Sequence, residues 1–176
     1  YVLSLYLQTI KELSAQTAGM ILAVSTILMA LLSPLIGKKS DKFSPKKISA
    51  VGMAVCAGSL AVLCILQEKS SIWFLIAVLA VSGIGSALFA APNTSVVMSW
   101  ADEKNRSSIA SVLATMRSMG HTTAMVIVTA VTGIKMGSKS FAQAEPQVFM
   151  ETMHLIFPIL TGWCILGIFM VIRRKM

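Results

Sequence analysis

An arginine inside a long apolar run is the residue of this chain best suited to chemistry. Arg117 lies within residues 108–134, about 13 Å from the start of the run at 1.5 Å per residue of helix. His121 follows four residues later and shares its helix face. Because a buried guanidinium is costly unless it faces polar groups or water, both side chains are predicted to line a polar path. Two other interpretations stay open: Arg117 bonds a neighbouring helix, or it extends to the polar edge of the run.

Hydroxyl side chains recur along the same run at spacings of three, four and seven residues. They are Ser108, Ser111, Thr115, Ser118, Thr122, Thr129 and Thr132. On a helix these spacings form one stripe, which lies to the side of Arg117. Such a stripe is typical either of a seam that packs against another helix or of the wall of a polar cavity.

The preceding apolar run contributes further candidates next to a proline. Pro92 lacks the backbone N–H that would bond the carbonyl of Leu88. Interrupted spanning helices often carry binding sites, which predicts that Asn93 and Thr94 line the same path. Proline and glycine are also ordinary in spanning helices, so the alternative that this proline marks no site stays open. Weaker candidates for the path occur earlier in the chain, at Gln8, Ser25 and Met29.

The elements that position these residues must be membrane helices, because the composition is unlike that of a soluble domain. The chain is 56% hydrophobic and 12% charged, whereas soluble domains carry about 25% charged residues. Its net charge of +8 lies in short segments between apolar runs, which favours membrane topology over nucleic-acid binding. The three cysteines lie inside apolar runs without a metal-binding or disulfide pattern. An all-α integral membrane protein is predicted.

Six apolar runs are predicted to form a helical stub and five full spans, since a span needs about 20 apolar residues. They cover residues 1–10, 15–37, 48–67, 72–100, 108–134 and 149–172. None shows the alternation of barrel strands. The runs form two triplets, 1–67 and 72–172, which is the layout of a 3+3 inverted repeat. The short first run predicts a truncated helix whose upstream part is missing.

Lysine and arginine residues are distributed unevenly between the two ends of these spans. Ten of the fifteen lie at one end, within residues 38–47, 104–106 and 173–175. Four lie at the other end, and Arg117 lies within a span. The positive-inside rule therefore places the loop 38–47 and the tail 173–176 in the cytoplasm of a multi-pass cell-membrane protein.

The loop GKKSDKFSPKK, residues 37–47, resembles the loop signature of the major facilitator superfamily. Glycine and proline within it predict a tight, non-helical connection. Ser44 and Pro45 depart from the family pattern, while the matching positions are Gly37, Asp41, Lys42, Lys46 and Lys47. The stretches YLQTIKELSAQTAGMIL, GIGSALFAAPNTSVVMSW and LATMRSMG are similar to the fourteen-span drug:proton antiporter branch.

This resemblance implies the C-terminal six-helix half of a transporter that works by alternating access with an N-terminal half. It implies proton-coupled export of small lipophilic or cationic compounds, that is, multidrug efflux. A transporter of a specific metabolite and a non-transporting scaffold or receptor are the alternatives. In the family the first, second, fourth and fifth helices of each half line the path. Asp41 would lie against a helix N-terminus of the other half and close the cytoplasmic side; otherwise the loop serves topology alone.

Acidic residues avoid the middle of every run. They are Glu12, Asp41, Glu68, Asp102, Glu103 and Glu145 in loops, and Glu151 at the edge of a span. Since proton coupling usually needs an intramembrane carboxylate, the coupling acid is expected in the missing part. The sequence has no nucleophile–base pair, metal cluster or phosphate-binding loop, so no enzyme, cofactor or metal site is predicted. Twelve methionines suit either a pocket for varied apolar solutes or ordinary core filling.

Overall fold

A computed structural model describes residues 1–40, 44–99, 101–136 and 146–173 of the chain. Its elements are α1 Val2–Leu5, continued by a π-helical turn Tyr6–Ile10, then α2 Ala15–Ser40, α3 Pro45–Leu63, α4 Ile72–Ser99, α5 Arg106–Met136 and α6 Pro146–Arg173. No strand occurs in these ranges, so the predicted all-α class is confirmed. Asp41 and Lys42 of the loop signature and residues 174–176 of the predicted tail lie outside the described residues.

The apolar runs locate the helices well, with one exception at the end of α3. The other helices begin and end within three residues of the runs that predicted them. α3 ends at Leu63 rather than at residue 67. The N–H of Cys64 bonds the carbonyl of Ala61 at 3.1 Å, and that of Ile65 bonds Val62 at 3.1 Å. These i→i−3 bonds, in place of the i→i−4 bonds of an α-helix, tighten the last turn and end the helix.

The predicted non-helical connection at residues 37–47 is wrong at its first residues. α2 continues through Gly37 to Ser40, so Gly37 lies within a helix rather than at a turn. A glycine weakens a helix by only about 1 kcal/mol and does not by itself end one. Pro45 marks the boundary better, because it opens α3 at a position that suits its fixed φ and missing N–H.

α4 packs against both α2 and α3, and glycines let the backbones of these helices approach closely. A Cβ on Gly83 of α4 would lie 2.5 Å from the backbone oxygen of Ser25 in α2. On the side of α3, a Cβ on Gly52 would lie 2.5 Å from the backbone nitrogen of Phe89. Small residues at such contacts are usual between membrane helices, where van der Waals packing drives association.

Buried apolar side chains gather where residues 11–14 and 64–71 meet, which we call the packed end of the helix bundle. α1, the π-helical turn and one end of every longer helix contribute to this cluster. Its members are Val2, Tyr6, Leu7, Ala18, Ile21, Leu63, Leu66, Leu75, Val78, Leu79, Val128, Phe149, Met150, Met153, Ile156 and Phe157. The large buried apolar side chains are therefore concentrated at this one end, while α4 also packs closely on α2 and α3 farther along the bundle.

Three helices are long and apolar enough to cross a membrane by length and composition. The stretches are Ala15–Lys38, Ile72–Ser99 and Gln147–Met170, which identifies a multi-pass membrane protein. In α3 the apolar stretch is shorter, Lys47–Leu63. α5 has 31 residues, but Arg117, His121 and its hydroxyl side chains lower its hydropathy. That α3 and α5 also span the membrane stays a prediction.

We expect Gly52→Ala to destabilise the full-length protein by about 1–3 kcal/mol, because the added methyl group would push α3 away from α4. Gly58→Ala on the same helix is the matched control, since a Cβ there meets no atom within 4 Å. The control should leave stability unchanged or raise it slightly through helix propensity. Thermal unfolding in detergent would contradict the close contact if both variants lost the same stability.

Candidate functional site

Two of the residues that the sequence singles out meet at the contact between α4 and α5. Nη2 of Arg117 in α5 donates a hydrogen bond to Oγ1 of Thr94 in α4 at 2.5 Å. Thr94 donates its own hydroxyl proton to the carbonyl of Ala90 at 2.7 Å. Thr94 is half-buried and Arg117 is exposed. The arrangement therefore anchors one edge of the guanidinium to α4 and leaves the rest of the group open.

Around Arg117, α5 presents a long exposed surface. From residue 107 to residue 123 its residues are exposed, apart from the half-buried Ile109 and Leu113. A shallow depression of about 340 Å³ along this surface is lined by Thr115, Ser118, Met119, Thr122, Thr123 and Val126. In the described part of the chain, these members of the hydroxyl stripe face open space instead of forming a seam between helices. Thr132, which is buried near the packed end, is the exception.

The threonine hydroxyls of this surface donate to backbone carbonyls four residues earlier in their own helix. Thr115 bonds the carbonyl of Ser111 at 2.9 Å, and Thr122 bonds that of Ser118 at 3.0 Å. Because each hydroxyl has one proton, these groups then present oxygen acceptors to a solute. The guanidinium of Arg117 supplies the complementary N–H donors.

His121, Asn93 and Gln8 occupy different settings around this surface. His121 is exposed on α5, one helical turn after Arg117. Asn93 is half-buried in α4, next to Thr94 in sequence. Gln8 lies in the π-helical turn, where its Nε2 donates to Oγ of Ser4 at 2.9 Å.

The two candidates in α2 and the loop signature complete the predicted set. Ser25 packs at the close approach of α2 to Gly83 of α4. Met29 is half-buried in the next turn of α2. Of the loop signature, Gly37 lies within α2 and Lys46 in the first turn of α3, while Asp41 and Lys42 fall outside the described residues. The role of Asp41 as a latch stays a prediction.

A second polar feature at the packed end holds the segment 64–71 by its backbone. The hydroxyl of Tyr6 donates to the carbonyl of Gln67 at 2.8 Å, and Tyr6 is only 1% exposed. Nζ of Lys11 donates to the carbonyl of the next residue, Glu68, at 2.5 Å. The π-helical turn and the residue that follows it are thereby fixed to the segment after α3.

α6 supplies the third contact to the same segment. Nε2 of His154 lies 2.9 Å from the carbonyl oxygen of Leu66. Since a carbonyl only accepts, this ring nitrogen carries the proton. The side chains of Tyr6, Lys11 and His154 thus bind three successive carbonyls, and we call them the carbonyl clamp.

Sequence reasoning missed the carbonyl clamp because its acceptors are backbone atoms. Residue types at 66–68 reveal nothing about which side chains bond the backbone carbonyls of the segment after α3. The available signal is a tyrosine and a histidine close to the ends of apolar runs, which is too common to single them out. A cleft of about 550 Å³ adjoins the clamp and is lined by Gln67, Glu68, Lys69, Gln147, Met150, Glu151 and His154. Within the described residues, no group of three or more His, Cys, Asp or Glu side chains is placed to hold a metal ion.

Comparison with known proteins gives one family and a relative with a known substrate. The model of the Major Facilitator Superfamily matches residues 1–175. The riboflavin transporter RibZ of Clostridioides difficile (strain 630) is 30% identical over 119 residues, which are 68% of this chain and 26% of the relative. The chain therefore spans about a quarter of the length of the curated relative that it matches. No solved structure matches.

We expect Tyr6→Phe to raise the rate of tryptic cleavage after Lys69, an exposed residue of the clamped segment. The substitution keeps the ring packing and removes one hydrogen bond worth about 1 kcal/mol, which corresponds to about fivefold more opening. Cleavage would be followed in the full-length protein in detergent.

A matched pair at His154 controls for changes in packing. His154→Gln keeps an N–H donor and should be cleaved by trypsin more slowly than His154→Leu. Equal cleavage of the wild type, Tyr6→Phe and His154→Leu would show that the clamp does not hold the segment.

Proposed function

Because the chain belongs to the Major Facilitator Superfamily, we propose that the full-length protein moves a small organic solute across a membrane by alternating access. The helices described above form one six-helix half of this fold. In such transporters the two halves rock against each other around a site near the middle of the bilayer. The partners of this half are then the lipid bilayer, the other half of the transporter and the solute.

The contact between Arg117 and Thr94, beside the exposed hydroxyl surface of α5, is the observation that supports this proposal most. An intramembrane arginine usually faces a bundle interior or a water-filled cavity rather than lipid. Here its guanidinium has one hydrogen bond to a neighbouring helix, at 2.5 Å, and is otherwise exposed. The surface around it carries oxygen acceptors, which would keep the path polar. We assign this surface of α4 and α5, with His121 and Asn93, to the solute path.

The solute that we favour is a specific polar metabolite rather than a range of lipophilic cations. Arg117 offers N–H donors, and neither α4 nor α5 contains a carboxylate that would attract a cation. Riboflavin, the substrate in the name of the matched relative, is a neutral molecule with a planar ring system and many hydrogen-bond acceptors. Riboflavin is therefore the first solute to test.

Proton-coupled export of lipophilic compounds is the second candidate, and it has one observation in its favour. Large apolar side chains are exposed beside the hydroxyl surface, with Met116 at 67% and Met119 at 63%. Flexible methionine side chains adapt to solutes of varied shape. The described helices carry one acidic residue, Glu151 near the start of α6, so a mid-membrane coupling acid would have to come from the other half.

The orientation that accompanies this proposal follows from the distribution of basic residues. The connection between α2 and α3 and the end of α6 would face the cytoplasm of the cell, and the packed end would face outward. In this arrangement Asp41 would lie where the two halves close on the cytoplasmic side. Its carboxylate would be favoured by the dipole of a helix N-terminus of the other half.

Arg117→Gln should lower riboflavin transport by the full-length protein at least tenfold, because a hydrogen bond to a charged group contributes about 1.5–3 kcal/mol. Transport would be measured in proteoliposomes with matched amounts of protein. Arg106→Gln, at the exposed start of the same helix, is the control and should transport normally.

The cationic dye rhodamine 123, tested in parallel, separates the two candidates. Riboflavin flux without dye flux would favour the metabolite transporter, whereas proton-driven dye export without riboflavin flux would favour multidrug efflux. Full transport by Arg117→Gln would remove Arg117 from the solute path, and binding without flux of either compound would favour a receptor.

A further inference from the structure

Thr94 has a hydrogen-bonding geometry that fixes its role towards Arg117. A threonine hydroxyl carries one proton and two acceptor lone pairs. The proton of Thr94 is committed to the carbonyl of Ala90 at 2.7 Å, within α4. The oxygen is therefore left as an acceptor, and it receives an N–H of Arg117 at 2.5 Å. The internal bond of α4 thus orients the threonine oxygen towards α5.

The guanidinium of Arg117 has more donors than this contact uses. A guanidinium offers five N–H donors in a planar fork that matches a carboxylate in two parallel hydrogen bonds. Among the described residues, Thr94 is the hydrogen-bond partner of Arg117, and no ion pair forms. Neither α4 nor α5 contains an aspartate or glutamate. The remaining donors are therefore open to an acceptor on a solute.

We propose that Arg117 is a subsite for a carboxylate, or a comparable pair of acceptor oxygens, on the solute and that Thr94 is its positioning residue. Thr94 holds one edge of the guanidinium against α4 so that the remaining donors point into the exposed space beside α5. The assignment rests on the proposed function, because it needs this surface to meet a solute. It goes further by naming the group of the solute that binds there and the residue that orients its donor.

A purely structural role for the contact makes a different prediction. If the hydrogen bond only ties α5 to α4, its loss lowers stability and affects every solute equally. If Thr94 positions Arg117, its loss weakens binding of solutes with an acceptor pair and leaves cationic solutes unaffected. Binding of two solutes of similar shape and opposite charge therefore distinguishes the roles.

The test uses fluorescein and rhodamine 123, which share a xanthene ring system and carry opposite charges at neutral pH. Their dissociation constants would be measured by fluorescence polarisation with the purified full-length protein. Thr94→Val removes the acceptor and keeps the shape of the side chain, whereas Thr94→Ser keeps the acceptor. We expect Thr94→Val to raise the dissociation constant of fluorescein at least tenfold and that of rhodamine 123 less than twofold. Thr94→Ser should bind both dyes with dissociation constants close to those of the wild type.

Thr161→Val is the matched control for the loss of a threonine bond within a helix. Thr161 in α6 donates to the carbonyl of Phe157 at 2.8 Å, as Thr94 does within α4. This variant should bind both dyes as the wild type does. In transport of riboflavin, Thr94→Val should raise KM and leave the maximal rate nearly unchanged.

Four outcomes would overturn the assignment. The first is equal weakening of the binding of both dyes by Thr94→Val, which would mean that the contact only ties α5 to α4. The second is loss of fluorescein binding in Thr94→Ser, and the third is the absence of fluorescein binding by the wild type. The fourth is riboflavin transport by Thr94→Val with an unchanged KM, which would support the proposed function but refute this subsite. Selective fluorescein binding without transport would support the subsite and refute the proposed function.

Discussion

The close approach of α4 to both α2 and α3 is the constraint on which the rest of the structure depends. Gly83 meets the backbone of Ser25 on one side, and Gly52 of α3 meets the backbone of Phe89 on the other. Contacts of this kind need small residues, because in lipid the helices associate through close packing rather than through the hydrophobic effect. Once α4 is fixed in this way, the position of Thr94 is fixed as well, and the guanidinium of Arg117 finds its partner there.

The two ends of the helix bundle are held by different means. At the packed end, a buried cluster and the carbonyl clamp join α1, α3 and α6, since Tyr6 and His154 both bind the segment after α3. Away from that end, α5 contacts its neighbours at few points, and its exposed surface includes Arg117. The buried cluster and the carbonyl clamp are therefore separated from the candidate site along the bundle axis. The alternating access proposed above would need such a firm region in a half that moves as one body, together with an uncovered surface towards the solute.

Hydropathy predicts most of this fold because a membrane helix must be apolar over a fixed length and must satisfy its own backbone. It fails where boundaries depend on local hydrogen bonding rather than on residue type. Gly37 looks like the start of a turn but continues α2, and α3 stops at Leu63 although apolar residues follow. In the candidate site, too, the sequence indicates the residues but not the contacts between them. Arg117 and Thr94 each stand out in the sequence, but their pairing depends on the register of α5 against α4, which no local pattern contains.

The low hydropathy of α5 and its exposure have one physical explanation. A helix surrounded by lipid gains nothing from Arg117, His121 and a row of hydroxyl groups, since each polar group must be satisfied without water. The threonine hydroxyls of α5 satisfy their donors by bonding carbonyls of their own helix, as Thr115 does at 2.9 Å. The guanidinium cannot do so with all of its donors, and no carboxylate lies on α4 or α5 to neutralise it. A positive charge held in this way repels a cationic solute and attracts an acceptor. For the solute path proposed on α5, the charge balance of α4 and α5 therefore favours a polar metabolite over a lipophilic cation.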